Sequence, residues 1–153
     1  MSQAVQTERF TVGVFQDPAW AERGVRALLE AGFASGSLTL LAVSSGPIDG
    51  FFASVLGGPP RHLDIKNLGS VSARGPLVDA LQGRDLKLER LGLAAAIDRA
   101  GFQPHDGYIF ETLVGRGGVL AAISSEARAA DALAKLHAYG GGNAGIGAWT
   151  GRV

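Results

Sequence analysis

Apolar and polar positions follow one rhythm over residues 12–41 and return in the same rhythm, without a gap, over residues 119–149. A shift of 108 positions lays Val12, Val14 and Phe15 on Leu120, Ala122 and Ile123. It lays Ala21, Val25 and Leu28 on Ala129, Leu133 and Leu136, and Gly32 on Gly140. Leu38, Leu40 and Leu41 fall on Ile146, Ala148 and Trp149. Each copy runs from an alternating, strand-like pattern to helical spacing and back to a strand. Phe10 to Phe15 is rich in Val, Phe and Thr and reads as a strand. Asp17-Pro18 then opens a helix, since Asp can accept a free amide at the N-cap and Pro at the next position has none to satisfy. Gly32 suits the helix stop, and Leu38 to Val43 is a second strand. In the second copy Val119 to Ile123 is the strand and Ser124 or Ser125 the cap. Ala127 to Tyr139 is the helix and Ala144 to Trp149 the last strand.

Two βαβ halves in a chain of 153 residues predict an α+β, ferredoxin-like split βαβ sandwich: four antiparallel strands with both helices on one face. The halves span 10–45 and 119–150 of a single domain, with a mostly helical insert at 46–118 between them. Within the insert, the apolar run Phe51 to Leu56 breaks at Gly57-Gly58-Pro59-Pro60, and Leu63 to Ala73 is strand-like. Gly75-Pro76 starts a short helix through Leu81, Leu86 to Ala100 reads as one long helix stopped by Gly101, and Pro104 starts a last one ending at Gly115. Phe10, Val12 and Val14 face one side of the sheet and Phe15 the other, while Leu38 and Leu40 oppose Leu41 and Val43. Both sheet faces are therefore apolar. Two helices cover one of them, so either the insert or a second subunit should cover the other.

Composition narrows the partners. Apolar residues make up 46% and charged ones 18%, as in a globular chain. Fourteen basic and 14 acidic side chains cancel without forming blocks, so no footprint for nucleic acid is visible. No cysteine occurs, which removes disulfides and thiolate chemistry. The first nine residues lack the apolar stretch of a signal peptide, and no apolar run approaches the roughly 20 residues of a membrane span, so cytoplasmic location without stable membrane insertion is expected.

Candidate chemistry is sparse. Gly140 to Gly145 matches the spacing of a dinucleotide turn, but it follows a helix and precedes a strand, the reverse of what pyrophosphate binding needs, so it reads as a helix stop. His62, His105 and His137 lack metal-ligand spacing; His105-Asp106 reads as first-turn surface capping and His137 suits a helix end. Ser44-Ser45 and Ser124-Ser125 close matching strands, and no nucleophile elbow surrounds them. Asp79, Asp85, Glu89 and Asp98, interleaved with Arg84, Lys87, Arg90 and Arg99, read as a solvated helix surface. No catalytic residue, metal site or cofactor follows. Trp20, Phe51, Phe52, Tyr108, Phe110 and Trp149 are aromatic candidates for core or pocket.

Thr11 to Asp17, the helix beginning Ala21-Glu22-Arg23, and Gly32-Phe33 resemble the opening of bacterial general stress proteins, the small family of heat-induced or low-temperature-induced stress proteins. Leu68 to Leu77 is similar to that family's G-x-V-x-A-x-G-P-L passage. Ala100 to Pro104, Phe110-Glu111 and Arg116 to Leu120 resemble its last helix and following strand. The likeness covers most of residues 10–140, in order. Members often carry a long glycine- and alanine-rich apolar segment in the insert. Here only Phe51 to Gly58 stands in that place, so the likeness does not extend to membrane association by that route. The resemblance implies a stress-associated role and assigns no site.

The expectation is thus a non-enzymatic cytoplasmic stress-associated domain acting through self-association, as a dimer or larger homo-oligomer, or through a protein partner. The alternative is a small-molecule sensor or enzyme with a pocket between sheet and insert, lined by Phe52, Arg74, Tyr108 and Phe110. A third reading places Phe51-Phe52 on a membrane surface.

Overall fold

The computed structural model describes residues 9–100, 102, 104–124, 128–139 and 148–152. The Gly140 to Gly145 turn and the Ser125 cap lie outside the described residues. In chain order the elements are β1 (Arg9–Phe15), α1 (Pro18–Glu30), a 3-10 turn (Ser35–Ser37), β2 (Leu38–Val43) and α2 (Gly46–Leu56). A hairpin follows, β3 (Arg61–Ile65) and β4 (Gly69–Arg74). Then come α3 (Pro76–Gln82), α4 (Lys87–Leu91), α5 (Leu93–Arg99), α6 (Pro104–Gly115), β5 (Val119–Ser124), α7 (Ala129–Ala138) and β6 (Ala148–Arg152). The chain is α+β.

The strands form one antiparallel sheet in the order β3-β4-β2-β5-β1-β6. β5 lies between β1 and β2, which therefore run parallel to each other. The repeat of the two halves survives in the packing. Val12 and Leu120 meet one core, while Phe15 and Ile123 meet the other, as do Leu28 and Leu136. Pairing of Val12 with Ala122 and of Val14 with Leu120 fixes this register, because a one-residue slip would turn every side chain to the opposite face.

Local chemistry sets the element ends. Asp17 caps α1 by accepting the Trp20 amide at 2.9 Å, with Pro18 in the first turn, as its sequence suggests. Ser45 caps α2 in the same manner through the Ile48 amide at 3.2 Å, and Gly57 ends that helix at φ 78°. The apolar run Phe51–Leu56 is therefore the last part of a helix begun at Gly46. Phe52, Val55 and Leu56 pack with α1 and α7 on one face of the sheet.

The opposite face is covered by the insert. Leu77, Val78 and Leu81 of α3, Leu88 of α4, Leu93, Ala96 and Ile97 of α5, and Phe110 and Val114 of α6 close over Phe10, Val12, Val14, Leu41 and Leu120. The second apolar face is thus buried within the chain, in a helix–sheet–helix sandwich. No helix among the described residues is long and apolar enough to cross a membrane.

Three expectations are corrected. Leu63 to Ala73 is two strands joined at Asn67, whose φ is 74°, so the sheet gains a hairpin beyond the four strands of the halves. The stretch Leu86 to Ala100 is two short helices broken at Gly92, where φ 94° and ψ 165° are open to glycine but strained for other residues. The break lets α5 lie along α6, and the Glu111 carboxylate accepts the Ala94 amide at 3.2 Å. The acidic residues of this region also reach across the fold rather than along one helix. Glu89 accepts from the Gln82 side chain at 2.7 Å and from the Asp64 amide at 3.1 Å.

Candidate ligand-binding cleft

β4 alternates its side chains between the two layers. Val71 and Ala73 enter the core beneath the insert, which turns Ser70, Ser72 and Arg74 toward α2. On β3, Leu63 and Ile65 enter the same core, so Arg61 shares their side and reaches Asp79 on α3 at 3.0 Å. The sheet end where β3 starts and β4 stops therefore receives one arginine from each face. Between them opens a cleft of about 440 Å³, walled by Leu38, Leu56 and Pro76, with Ser35 and Gly36 at its rim.

The cleft's shape depends on Gly75, at φ 133°. A Cβ there would collide with the Leu38 carbonyl and the Thr39 hydroxyl, so only glycine lets the chain turn this close to β2. Thr39, fully buried, then accepts the Leu77 amide at 2.9 Å and fixes the first turn of α3. Arg74 is held as well. Its Nη1 donates to the Pro59 carbonyl at 2.9 Å, and the guanidinium rests over Gly58, where a Cβ would come within 3.1 Å. One arginine is braced by backbone, and the other is held by an exposed carboxylate.

A second polar cluster ties α2 to the hairpin. Asp49 accepts the Ser72 hydroxyl at 2.5 Å, and its other oxygen lies 2.9 Å from His62 Nε2. A serine has one proton to give, so when Ser72 gives it to Asp49 the 2.9 Å contact with Ser44 requires Ser44 to donate to Ser72. Ser70 joins the chain at 3.3 Å from Ser44. The Ser72 hydroxyl, and after it the His62 ring, hold the Asp49 carboxyl below its ordinary 3.8, with burial acting in the opposite direction. Ser, Asp and His stand together, but Asp occupies the centre and Ser72 has no exposed surface. Nucleophilic catalysis needs an accessible hydroxyl beside a base, so this cluster works as a clamp.

The four residues proposed from sequence do not share one cavity. Phe52 is buried in the α1–α2–α7 layer, 5.5 Å from the Phe51 ring. Phe110 is buried on the other side of the sheet, 6.0 Å from the Phe102 ring. Tyr108 is 68% exposed. Arg74 alone lines the cleft. The space expected between sheet and insert is filled by the insert's leucines, and the opening lies at the sheet's end instead. His105 is exposed, 3.5 Å from the buried Asp106. Sequence reading named His62 but missed its acidic partner, Asp49, 13 residues away. It also missed Arg61, which lies just before the stretch that reads as a strand from Leu63 and joins it only in the structure. Among the described residues, no group of three or more His, Cys, Asp or Glu could hold a metal ion.

No protein-family model matches the chain, and no curated protein or solved structure matches it.

Proposed function

We propose that this chain is a non-enzymatic binding domain that takes a small molecule in the cleft between Arg61 and Arg74. The observation that carries the reading is the lining of one concave site of about 440 Å³ by two arginines, a volume within the size range of small-molecule pockets. Burial of Ser72 supports binding over nucleophilic chemistry. We further propose that the unit β2-β5-β1-β6 with α1 and α7 is ferredoxin-like, on the support of its strand order and of both half-repeat helices sharing a face. The stress-associated role rests on the sequence resemblance. A thermal-shift screen with small metabolites tests the binding reading. A ligand that raises the melting temperature of the wild type but not of Arg74→Gln supports it; a screen with no such ligand sinks it.

Self-association keeps one specific support. Among the described residues β6 is an outermost strand, and an outer strand edge is a template for a second copy. Light scattering over a range of concentrations decides this second reading: a stable dimer supports it, and a monomer throughout removes it.

A further inference from the structure

We infer that the cleft takes a small organic phosphate monoester, held by Arg61 and Arg74, with Asp79 as a built-in competitor that the ligand displaces. The inference rests on the small-molecule reading above and assigns its ligand class.

The geometry of the donors selects the headgroup. A guanidinium presents a planar fork, and one fork can occupy both oxygens of a carboxylate. Two forks in a single cleft call for an acceptor with more oxygens, and a phosphate monoester presents three on one tetrahedral centre. Its charge fits as well, since a monoester carries close to two negative charges at neutral pH. Arg74 spends one N–H on the Pro59 carbonyl and is braced over Gly58, so its remaining donors are held with little rotamer freedom. The apolar wall of Leu56 and Pro76 offers room for a short organic body beside the headgroup.

Arg61 is the second donor and is engaged elsewhere, 3.0 Å from Asp79 Oδ1. Both side chains of this pair are well exposed, at 49% and 72%. Exposed ion pairs of this kind contribute little, because water and salt screen them. An incoming phosphate offers Arg61 more charge than Asp79 does and can take its place. Asp79 thereby sets a threshold: it lowers affinity for every anion and most of all for those with a single charge. Removing it should tighten binding, an outcome that loss of a merely structural ion pair would not produce.

Calorimetric titration of the full chain with phenyl phosphate, inorganic phosphate and benzoate tests this, with circular dichroism to confirm that each variant is folded. Saturable one-to-one binding of phenyl phosphate is expected, with inorganic phosphate weaker and benzoate weakest. Arg74→Gln and Arg61→Gln should each weaken phenyl phosphate about tenfold or more, the scale of a lost charge-assisted contact. Asp79→Asn should tighten it several-fold. Benzoate binding as well as phenyl phosphate, with Arg74→Gln still weakening both, overturns the phosphate assignment and leaves the small-molecule reading standing. Unchanged or weaker binding in folded Asp79→Asn overturns the competitor role. No binding of phenyl phosphate to the wild type overturns the inference, and the metabolite screen then decides separately whether the cleft binds anything.

Discussion

Ser72 and Asp49 lie oxygen to oxygen at 2.5 Å although 23 residues separate them, and this contact joins the start of α2 to the middle of the hairpin's inner strand. Ser72→Ala removes the hydroxyl that Asp49 accepts and breaks the serine chain behind it. A lower midpoint of chemical denaturation at neutral pH is the expected result. An unchanged midpoint would mean that the clamp holds nothing.

The same contact sets a pH dependence. Hydrogen bonds from Ser72 and then His62 lower the carboxyl of folded Asp49 below the 3.8 at which it titrates when unfolded. A carboxyl depressed by folding stabilises the protein above its unfolded value, and that contribution disappears as pH falls through the folded one. Wild type should therefore exceed Asp49→Asn in stability at neutral pH, and the gap should close in acid below about 3.8. Denaturant midpoints of both proteins between about pH 7 and about pH 2.5, a range that brackets carboxylate titration, check this. A gap that stays constant would contradict it.

Glycines of the same type should behave oppositely at two helical positions. A Cβ at Gly107 of α6 would collide with the Ala94 carbonyl of α5, so Gly107→Ala forces two packed helices apart. Overpacking of this kind costs about 1–3 kcal/mol. Gly50, exposed in the interior of α2, has nothing within 4 Å of its added Cβ. Gly50→Ala should gain roughly 0.5–1 kcal/mol from helix propensity. Thermal melts of the two variants should move in opposite directions.

Glu89 blunts the outer strand β3. Its carboxylate accepts the Asp64 amide at 3.1 Å and its carbonyl accepts the Lys66 amide at 3.0 Å, both on the edge side of the hairpin. Open edges invite pairing with other chains, and this one is covered by α4. Hydrogen exchange should find both amides protected. In Glu89→Ala the Asp64 amide should exchange much faster while Lys66, bonded to backbone, keeps more protection. Equal loss at both would mean that α4 has detached altogether.

Periodic features were legible in the sequence and pairwise ones were not. Val12 with Leu120 and Phe15 with Ile123 kept their faces because burial imposes a period of two that any reader can count. Asp17-Pro18 and Pro104 marked helix starts because capping is local chemistry. Gly92 lies inside the stretch Leu86 to Ala100 that reads as one helix, and only the folded chain, with α5 packed on α6, shows it as a break. Phe52 and Phe110 looked like pocket residues, and a sheet stands between them. Asp49, His62 and Ser72 carry no mutual spacing in sequence, and Arg61 and Arg74 line one cleft only because the hairpin folds them to one end.

The most direct test of the cleft as the working site is amide shift mapping of the isotope-labelled protein titrated with phenyl phosphate. Saturable shifts concentrated at Gly36, Arg61, Arg74, Gly75 and Asp79, absent in Arg74→Gln, are the expected result. Shifts that gather elsewhere, or that spread weakly over the surface without saturating, would contradict the account.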